Sequence, residues 1–132
     1  MRDYLRPELN DELHSISTLG LAYIGDAVFD LLVRTCLCVR GTLSAKNLHA
    51  GALEYVSAKA QSAAAERIQS EFSAEELAVF RRGRNAHVSS VPRASTCGEY
   101  HAATGLETLF GYLYLKGETQ RLGELFEMII RM

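Results

Sequence analysis

The sequence predicts an all-α fold. Apolar residues recur at steps of three and four along most of the chain, which is the period of amphipathic helices. No segment shows the strict alternation of apolar and polar residues that indicates a strand with hairpin turns. Only two prolines, Pro7 and Pro92, occur in 132 residues. Because 48% of the residues are hydrophobic and 23% are charged, we expect one globular domain over residues 1–132.

The first predicted helix runs from about Thr18 to Cys38. Five apolar side chains are predicted to share one face of this helix: Leu21, Ile24, Val28, Leu31 and Leu32. Two further helices are expected over Leu43–Tyr55 and over Val56–Phe72, and the second of these is rich in alanine. The spacing of apolar residues supports all three helices.

A capping box marks the start of the fourth helix. The side chain of Ser73 and that of Glu76 are spaced to satisfy each other's free backbone amides, so a helix should begin here and end between about Arg82 and Ala86. The segment that follows, His87–Gly98, is rich in serine and contains proline and glycine. This composition predicts a loop.

A second capping box is predicted further along, where Thr104 and Glu107 show the same spacing. It would open a helix over Gly105–Leu115. Gly117 should end that helix, since glycine readily adopts the left-handed conformation of a C-terminal cap. The last helix is expected over Thr119–Ile130.

Charge and composition exclude several classes of protein. The chain carries 14 Lys plus Arg against 16 Asp plus Glu, a net charge of -2, so it has no overall basic field. No apolar run approaches the roughly 18 residues that a membrane span requires, and no membrane partner is expected. Three cysteines are an odd number that favours a reduced, cytoplasmic setting. The histidines and cysteines have no zinc-ligand spacing.

Cations are concentrated in one stretch that contains no acid. Between Glu76 and Glu99 lie four arginines: Arg81, Arg82, Arg84 and Arg93. Gly83 among them would let a phosphate approach the backbone, and the guanidinium fork suits phosphate oxygens. The pattern fits either an ordinary solvated face or a binding surface for phosphate or nucleic acid.

Two acids have unusual positions. Asp26 follows Gly25 in the middle of an apolar helix, where it either is buried with a partner or lies on an exposed stripe with Asp30. Glu107 either only caps its helix or faces a site. If the two carboxylates converge, they offer the hard oxygen ligands that Mg²⁺ takes together with water and phosphate oxygens.

Four segments resemble one family. Leu21–Val28 resembles the signature helix of ribonuclease III catalytic domains, and Thr104–Leu115 resembles their second acidic motif. Val56–Gln61 and Arg81–Ala86 are similar to Mini-ribonuclease III, the compact subgroup without a separate domain for double-stranded RNA. The similarity covers residues 9–125, with the motifs in the family's order.

The resemblance implies an endoribonuclease that cleaves double-stranded RNA and leaves a 5′-phosphate and a 3′-hydroxyl. Asp26 and Glu107 would be catalytic and would hold Mg²⁺, with Mn²⁺ as a substitute. The implied role is maturation of large-subunit (23S) ribosomal RNA in the cytoplasm, with a ribosomal protein as an accessory partner. The enzyme would be a homodimer, and Tyr23 would pack into the partner subunit.

The residues that the resemblance and the charge pattern assign to RNA contact are Lys59, Arg81, Arg82, Arg84, Asn85 and Arg93. Larger family members carry two more acids, at the positions of Ala22 and Thr104. Two carboxylates at a site imply one bound Mg²⁺ rather than two.

Two other functions are weighed against the nuclease. A non-catalytic relative that binds RNA or the ribosome would keep the fold but lose one of the acids, and both Asp26 and Glu107 are present. A helical dimerisation module would leave Asp26 in an apolar run without a purpose. The nuclease is therefore favoured.

Overall fold

The computed structural model describes residues 1–41, 44–86 and 96–131, and these residues contain helices and no strand. The predicted all-α fold is confirmed. The helices are α1 (Thr18–Val39), α2 (Ala45–Val56), α3 (Ala58–Ile68), α4 (Ala74–Arg84), α5 (Cys97–Lys116) and α6 (Thr119–Ile130), with short 3₁₀ turns at Asp11–Ser15 and Gln69–Glu71. None of the described helices is long and apolar enough to cross a bilayer.

Local signals set several helix ends as predicted. The Ser73 hydroxyl accepts from the Glu76 amide while the Glu76 carboxylate accepts from the Ser73 amide, so the first capping box is confirmed. Gly117 ends α5 with φ of 88°, a conformation that residues with a Cβ rarely adopt. The bounds of α6 are those expected.

Helix α5 occupies the centre of the core, packed against α1, α3 and α4. Its apolar side chains Leu106, Leu109 and Phe110 are fully buried. The ring of Phe110 meets that of Phe29 from α1 at 5.4 Å between centroids. These contacts surround the middle of α5 and fix its rotation about its own axis.

Two glycines let α1 and α5 touch along their backbones. A Cβ added to Gly25 would lie 1.7 Å from the carbonyl oxygen of Glu107, and one added to Gly111 would lie 1.9 Å from that of Leu21. Since a side chain at either position would overlap backbone atoms, both crossings need glycine. The two helices are therefore in direct backbone contact at Glu107 and again one turn later, at Gly111.

A second pair of glycines brings α4 equally close to α5. A Cβ on Gly83 would lie 2.2 Å from Oγ1 of Thr108, and one on Gly105 would lie 2.8 Å from the carbonyl oxygen of Phe80. Gly105 and Gly111 thus hold α5 against α4 and α1 respectively.

The predicted start of α5 was wrong. The helix begins at Cys97, and its capping box is formed by Thr96 and Glu99. Thr104 lies inside the helix, where its hydroxyl donates to the Tyr100 carbonyl at 2.9 Å. Residues 96–98 therefore belong to the cap and first turn of α5 rather than to a loop, and the rest of the predicted loop lies outside the described residues.

Leu31 lies at the exposed edge of the apolar face predicted for α1, since 61% of this residue is exposed. At 100° per residue, Leu31 lies about 120° around α1 from Gly25, where α5 packs. Leu21 and Val28 are buried as expected, and Ile24 and Leu32 are half-buried. The covered face of α1 is narrower than the apolar pattern predicts.

Candidate active site

The structure brings Asp26 and Glu107 together. Because Gly25 touches the backbone of Glu107, the next residue on α1 lies beside the Glu107 side chain. The two carboxyl groups are within hydrogen-bonding reach of each other. The convergence that spacing alone left open is thus a consequence of the glycine contact between α1 and α5.

The two carboxyl groups differ in burial. Asp26 is exposed and Glu107 is half-buried. Burial raises the pKa of Glu107 to about 8, with a hydrogen bond and charge repulsion from Asp26 adding to the effect, while Gln61 opposes it. The interpretation of Glu107 as a helix cap is wrong, because it lies in the second half of α5.

Of the two alternatives for Asp26, the exposed one holds. Asp30, which was expected on the same exposed stripe one turn later, is half-buried and pairs with Arg34 at 3.0 Å. No salt bridge within the described part of the chain involves Asp26 or Glu107. Among the residues that the structure describes, the pair of carboxyl groups thus has no cationic partner.

Gln61 is the site neighbour that the sequence reasoning missed. It lies on α3 with only 2% of its surface exposed, and its side chain reaches the Glu107 carboxyl group. The signal that could have found it is periodicity, because Gln61 precedes the buried Ala64, Ala65 and Ile68 at steps of three, four and seven.

Residues 81–84 form the last turn of α4, and we call them the arginine segment. None of its arginines forms a salt bridge with residues 1–41, 44–86 or 96–131. Arg81 and Arg82 are exposed, and Nη2 of Arg82 donates to the Thr18 hydroxyl at the start of α1, at 3.1 Å. The Arg84 guanidinium lies 5.8 Å from the centroid of the Phe80 ring. Asn85 is the C-terminal cap of α4.

Two remaining residues assigned to RNA contact have different outcomes. Lys59 lies exposed in the first turn of α3, two residues before Gln61. Arg93 lies outside the described residues. Of the cations assigned to RNA contact, the structure thus places Lys59 in the first turn of α3 and the three arginines of the arginine segment in the last turn of α4.

The donor set at the site suits one hard cation. Within the described ranges no group of three or more His, Cys, Asp or Glu side chains is arranged to hold a metal, so Asp26 and Glu107 form a pair only. Mg²⁺ is commonly held by one or two carboxylates, with water and substrate phosphates completing its octahedron. The residues present therefore fit a single Mg²⁺ whose remaining ligands come from outside the protein.

The family model for the ribonuclease III domain matches residues 19–118. The chain belongs to the ribonuclease III family. Both carboxylates, Gln61 and the arginine segment lie inside the matched range. The predicted class of enzyme, an endoribonuclease, is confirmed.

Individual ribonuclease III relatives agree over most of their length. The chain is 42% identical over 113 residues to the Mini-ribonuclease 3 of Symbiobacterium thermophilum, covering 86% of this chain and 87% of that one. It is 37% identical over 135 residues to the Mini-ribonuclease 3 of Clostridium tetani, covering 100% and 89%. The resemblance to the compact subgroup is confirmed.

A solved structure shows the same ribonuclease III fold. The crystal structure of a protein from Fusobacterium nucleatum matches with a TM-score of 0.84 at 26% identity, covering 92% of this chain and 98% of that one. The helical arrangement around α5 is therefore shared with an experimental structure.

One apolar surface adjoins the site in this ribonuclease III chain. Tyr23 is 84% exposed, and Leu19 and Leu31 on the same side of α1 are 46% and 61% exposed. This side faces away from α5, and Asp26 lies at its edge by helical position. We call Leu19, Tyr23 and Leu31 the exposed face of α1.

Proposed function

We propose that this ribonuclease III-family enzyme hydrolyses double-stranded RNA with one Mg²⁺ held by Asp26 and Glu107. The observation that carries the proposal is the pairing of these two carboxyl groups where α1 and α5 touch. Two acids in contact, one of them half-buried and neither in a salt bridge with another described residue, favour the binding of a cation from outside.

The protein residues divide the work by position. Glu107 is held by the packing on both sides of it on α5, so its carboxylate presents a fixed ligand. Asp26 is exposed and can reach both the cation and the solvent. Bound Mg²⁺, or Mn²⁺ in its place, would activate water and stabilise the charge that develops on the phosphate.

The cations at the ends of α3 and α4 supply RNA contacts in this proposal. Exposed guanidinium groups bind phosphate oxygens through two parallel donors, and A-form RNA is recognised mainly through its shape, phosphates and 2′-hydroxyls. The proposed contact residues are Lys59, Arg81, Arg82, Arg84, Asn85 and Arg93.

We further propose a homodimer that buries the exposed face of α1, with Tyr23 inserted into the partner. Each subunit would then contribute one cleavage site, with 5′-phosphate and 3′-hydroxyl products. The natural substrate inferred from the family resemblance is the precursor of 23S ribosomal RNA in the cytoplasm, with a ribosomal protein as an accessory factor.

The test is cleavage of a long, end-labelled RNA duplex by the wild type and by the Asp26→Asn and Glu107→Gln variants, with Mg²⁺ and with EDTA. Metal assistance contributes several kcal/mol to such reactions, and 1.36 kcal/mol is a factor of ten in rate. We therefore expect each variant to lose at least about 100-fold in rate while still binding the duplex.

Glu127→Gln is the matched control. It removes an acid on α6 whose exposed ion pair with Arg131 contributes no more than about 1 kcal/mol, so this variant should fold and cut like the wild type. Undiminished cutting by Asp26→Asn, or by the wild type in EDTA, would refute the proposal. A wild type that binds duplex and never cuts would instead indicate the non-catalytic RNA-binding relative.

A further inference from the structure

Gln61 has a buried amide group that the proposed reaction does not yet use. Only 2% of the residue is exposed, and Nε2 makes no hydrogen bond of acceptable geometry to the described residues. A buried amide donor without a partner destabilises the folded state, and such groups are rare in folded proteins. A polar side chain at this position therefore needs a reason other than stability.

The surroundings of Gln61 indicate that reason. Helix α3 packs against α5. The buried neighbours of Gln61 on its own helix, Ala64 and Ala65, have no polar side-chain group that could pair with its amide. Its side chain reaches the carboxyl group of Glu107 on the facing helix. The donor that lacks a partner thus faces one of the two proposed metal ligands.

We propose that Gln61 is a positioning residue, whose Nε2 donates to one carboxylate oxygen of Glu107 and leaves the other oxygen directed to Asp26 and the cation. The inference rests on the proposed function, since it concerns how the same site holds Mg²⁺. The hydrogen bond forms when a cation orders the carboxylate.

An amide suits this task better than other polar groups. It carries no charge, so it neither repels the cation as a lysine would nor adds a third carboxylate to the pair. Carboxylates that bind metals are themselves held by hydrogen bonds from neighbouring groups, and losing such a partner typically weakens metal binding by 10- to 100-fold. Gln61 is such a neighbour of Glu107.

The test is the variant Gln61→Met, which keeps the length and volume of the side chain and removes the donor. Two quantities are measured, the Mg²⁺ concentration for half-maximal duplex cleavage and the Mg²⁺ concentration that raises the Tm of the protein without RNA. We expect both to increase by about 10- to 100-fold, with the cleavage rate largely recovered at saturating Mg²⁺.

A purely structural role predicts a different result. A structural role would lower the Tm without Mg²⁺ when the amide is removed. Since Nε2 has no partner among the described residues, we expect Gln61→Met to leave that Tm unchanged or higher. If Gln61→Met shows the wild-type Mg²⁺ dependence in both measurements, the inference is overturned. Gln61→Leu, also without a donor, provides a second variant should the methionine variant fold poorly.

Gln69→Met is the matched control, because Gln69 caps the other end of α3 and is half-buried. It should respond to Mg²⁺ like the wild type. Failure of the proposed function has a separate signature: the wild type would neither cut duplex nor gain stability from Mg²⁺. If the wild type responds and both Gln61 variants respond equally well, only the inference about Gln61 fails.

Discussion

The side chain of Glu76 links the starts of two helices, α4 and α6. Its carboxylate caps α4 at Ser73 and accepts two hydrogen bonds from Arg121 of α6, at 2.8 and 2.9 Å. The guanidinium also donates to the Glu71 carbonyl at 2.7 Å. Arg121 foremost, helped by the Ser73 backbone, keeps the pKa of Glu76 below its usual range despite burial. This pair joins the start of α6 to the start of α4.

We expect Glu76→Gln to lower the free energy of unfolding by about 2 kcal/mol, because a hydrogen bond to a charged group is worth about 1.5–3 kcal/mol. The variant keeps a capping side chain, since glutamine serves at this position, so the loss isolates the ion pair. Urea unfolding near neutral pH measures it. Glu124→Gln removes the more exposed partner of Arg121 and should cost less than about 1 kcal/mol.

The same carboxylate makes stability depend on pH. Its pKa is lower in the folded protein than in the unfolded chain, so its contribution is complete above the unfolded pKa of about 4.3 and is lost as the pH falls through the folded value. Between about pH 5 and 3 the wild type should therefore lose more stability than Glu76→Gln. Parallel loss in the two proteins would contradict this account.

At the scale of helices, α5 determines the site because its backbone touches both neighbours. Gly105 faces α4 and Gly111 faces α1, with Glu107 between them. A side chain at Gly105 would push α4 away, and one at Gly111 would push α1 away and separate the two carboxyl groups. The position of the acids is thus set by helix packing more than by hydrogen bonds.

Gly111→Ala should destabilise the fold by about 1–3 kcal/mol or more, as expected for added volume in a packed contact, even though alanine favours helices. Thermal or urea unfolding measures the change. Gly123→Ala on α6 is the matched control, because a Cβ there would have nothing within 4 Å. It should gain about 0.4–1 kcal/mol. Equal behaviour of the two variants would refute the backbone contact.

Local patterns predicted those helix ends that local interactions determine. Ser73 with Glu76 and the bounds of α6 are examples. The pattern of a hydroxyl followed by glutamate three residues later occurs at both Thr96 and Thr104, however, and nothing local says which one opens a helix. Burial of Thr104 against neighbouring helices decides the matter, and that is tertiary information.

The two acids of the candidate site were predictable from the sequence, but their arrangement was not. The motifs identified Asp26 and Glu107, but their proximity depends on Gly25 and Gly111 meeting across about 80 residues of chain, which no local pattern reports. Which of the two acids is buried, and that Gln61 lies beside it, follow from the packing of α3 and α1 on α5.

For the whole molecule, the distribution of charge matters more than its total of -2. The exposed cations on α4 come close to the exposed face of α1, because Arg82 donates to Thr18, the neighbour of Leu19. A dimer through that face would leave the cations of both subunits available to one duplex. Binding should then involve about twice the number of phosphate contacts that one subunit makes.

We expect Tyr23→Asp to be monomeric by sedimentation, because it places a charge in an apolar contact. Its duplex affinity should depend on salt with roughly half the wild-type slope, since the slope is proportional to the number of phosphates contacted. Tyr4→Asp, a change at another exposed tyrosine, should behave like the wild type. A monomeric wild type, or a flat response to salt, would contradict the proposal.

The contact between Gly25 and Glu107 has a consequence for the order of synthesis and folding. The second carboxylate, Glu107, is synthesised 81 residues after the first, Asp26. A growing chain that has not yet reached this point carries Asp26 without a counterpart, whatever helices it has formed. The pair of carboxyl groups therefore exists only once α5 has been made and has docked on α1.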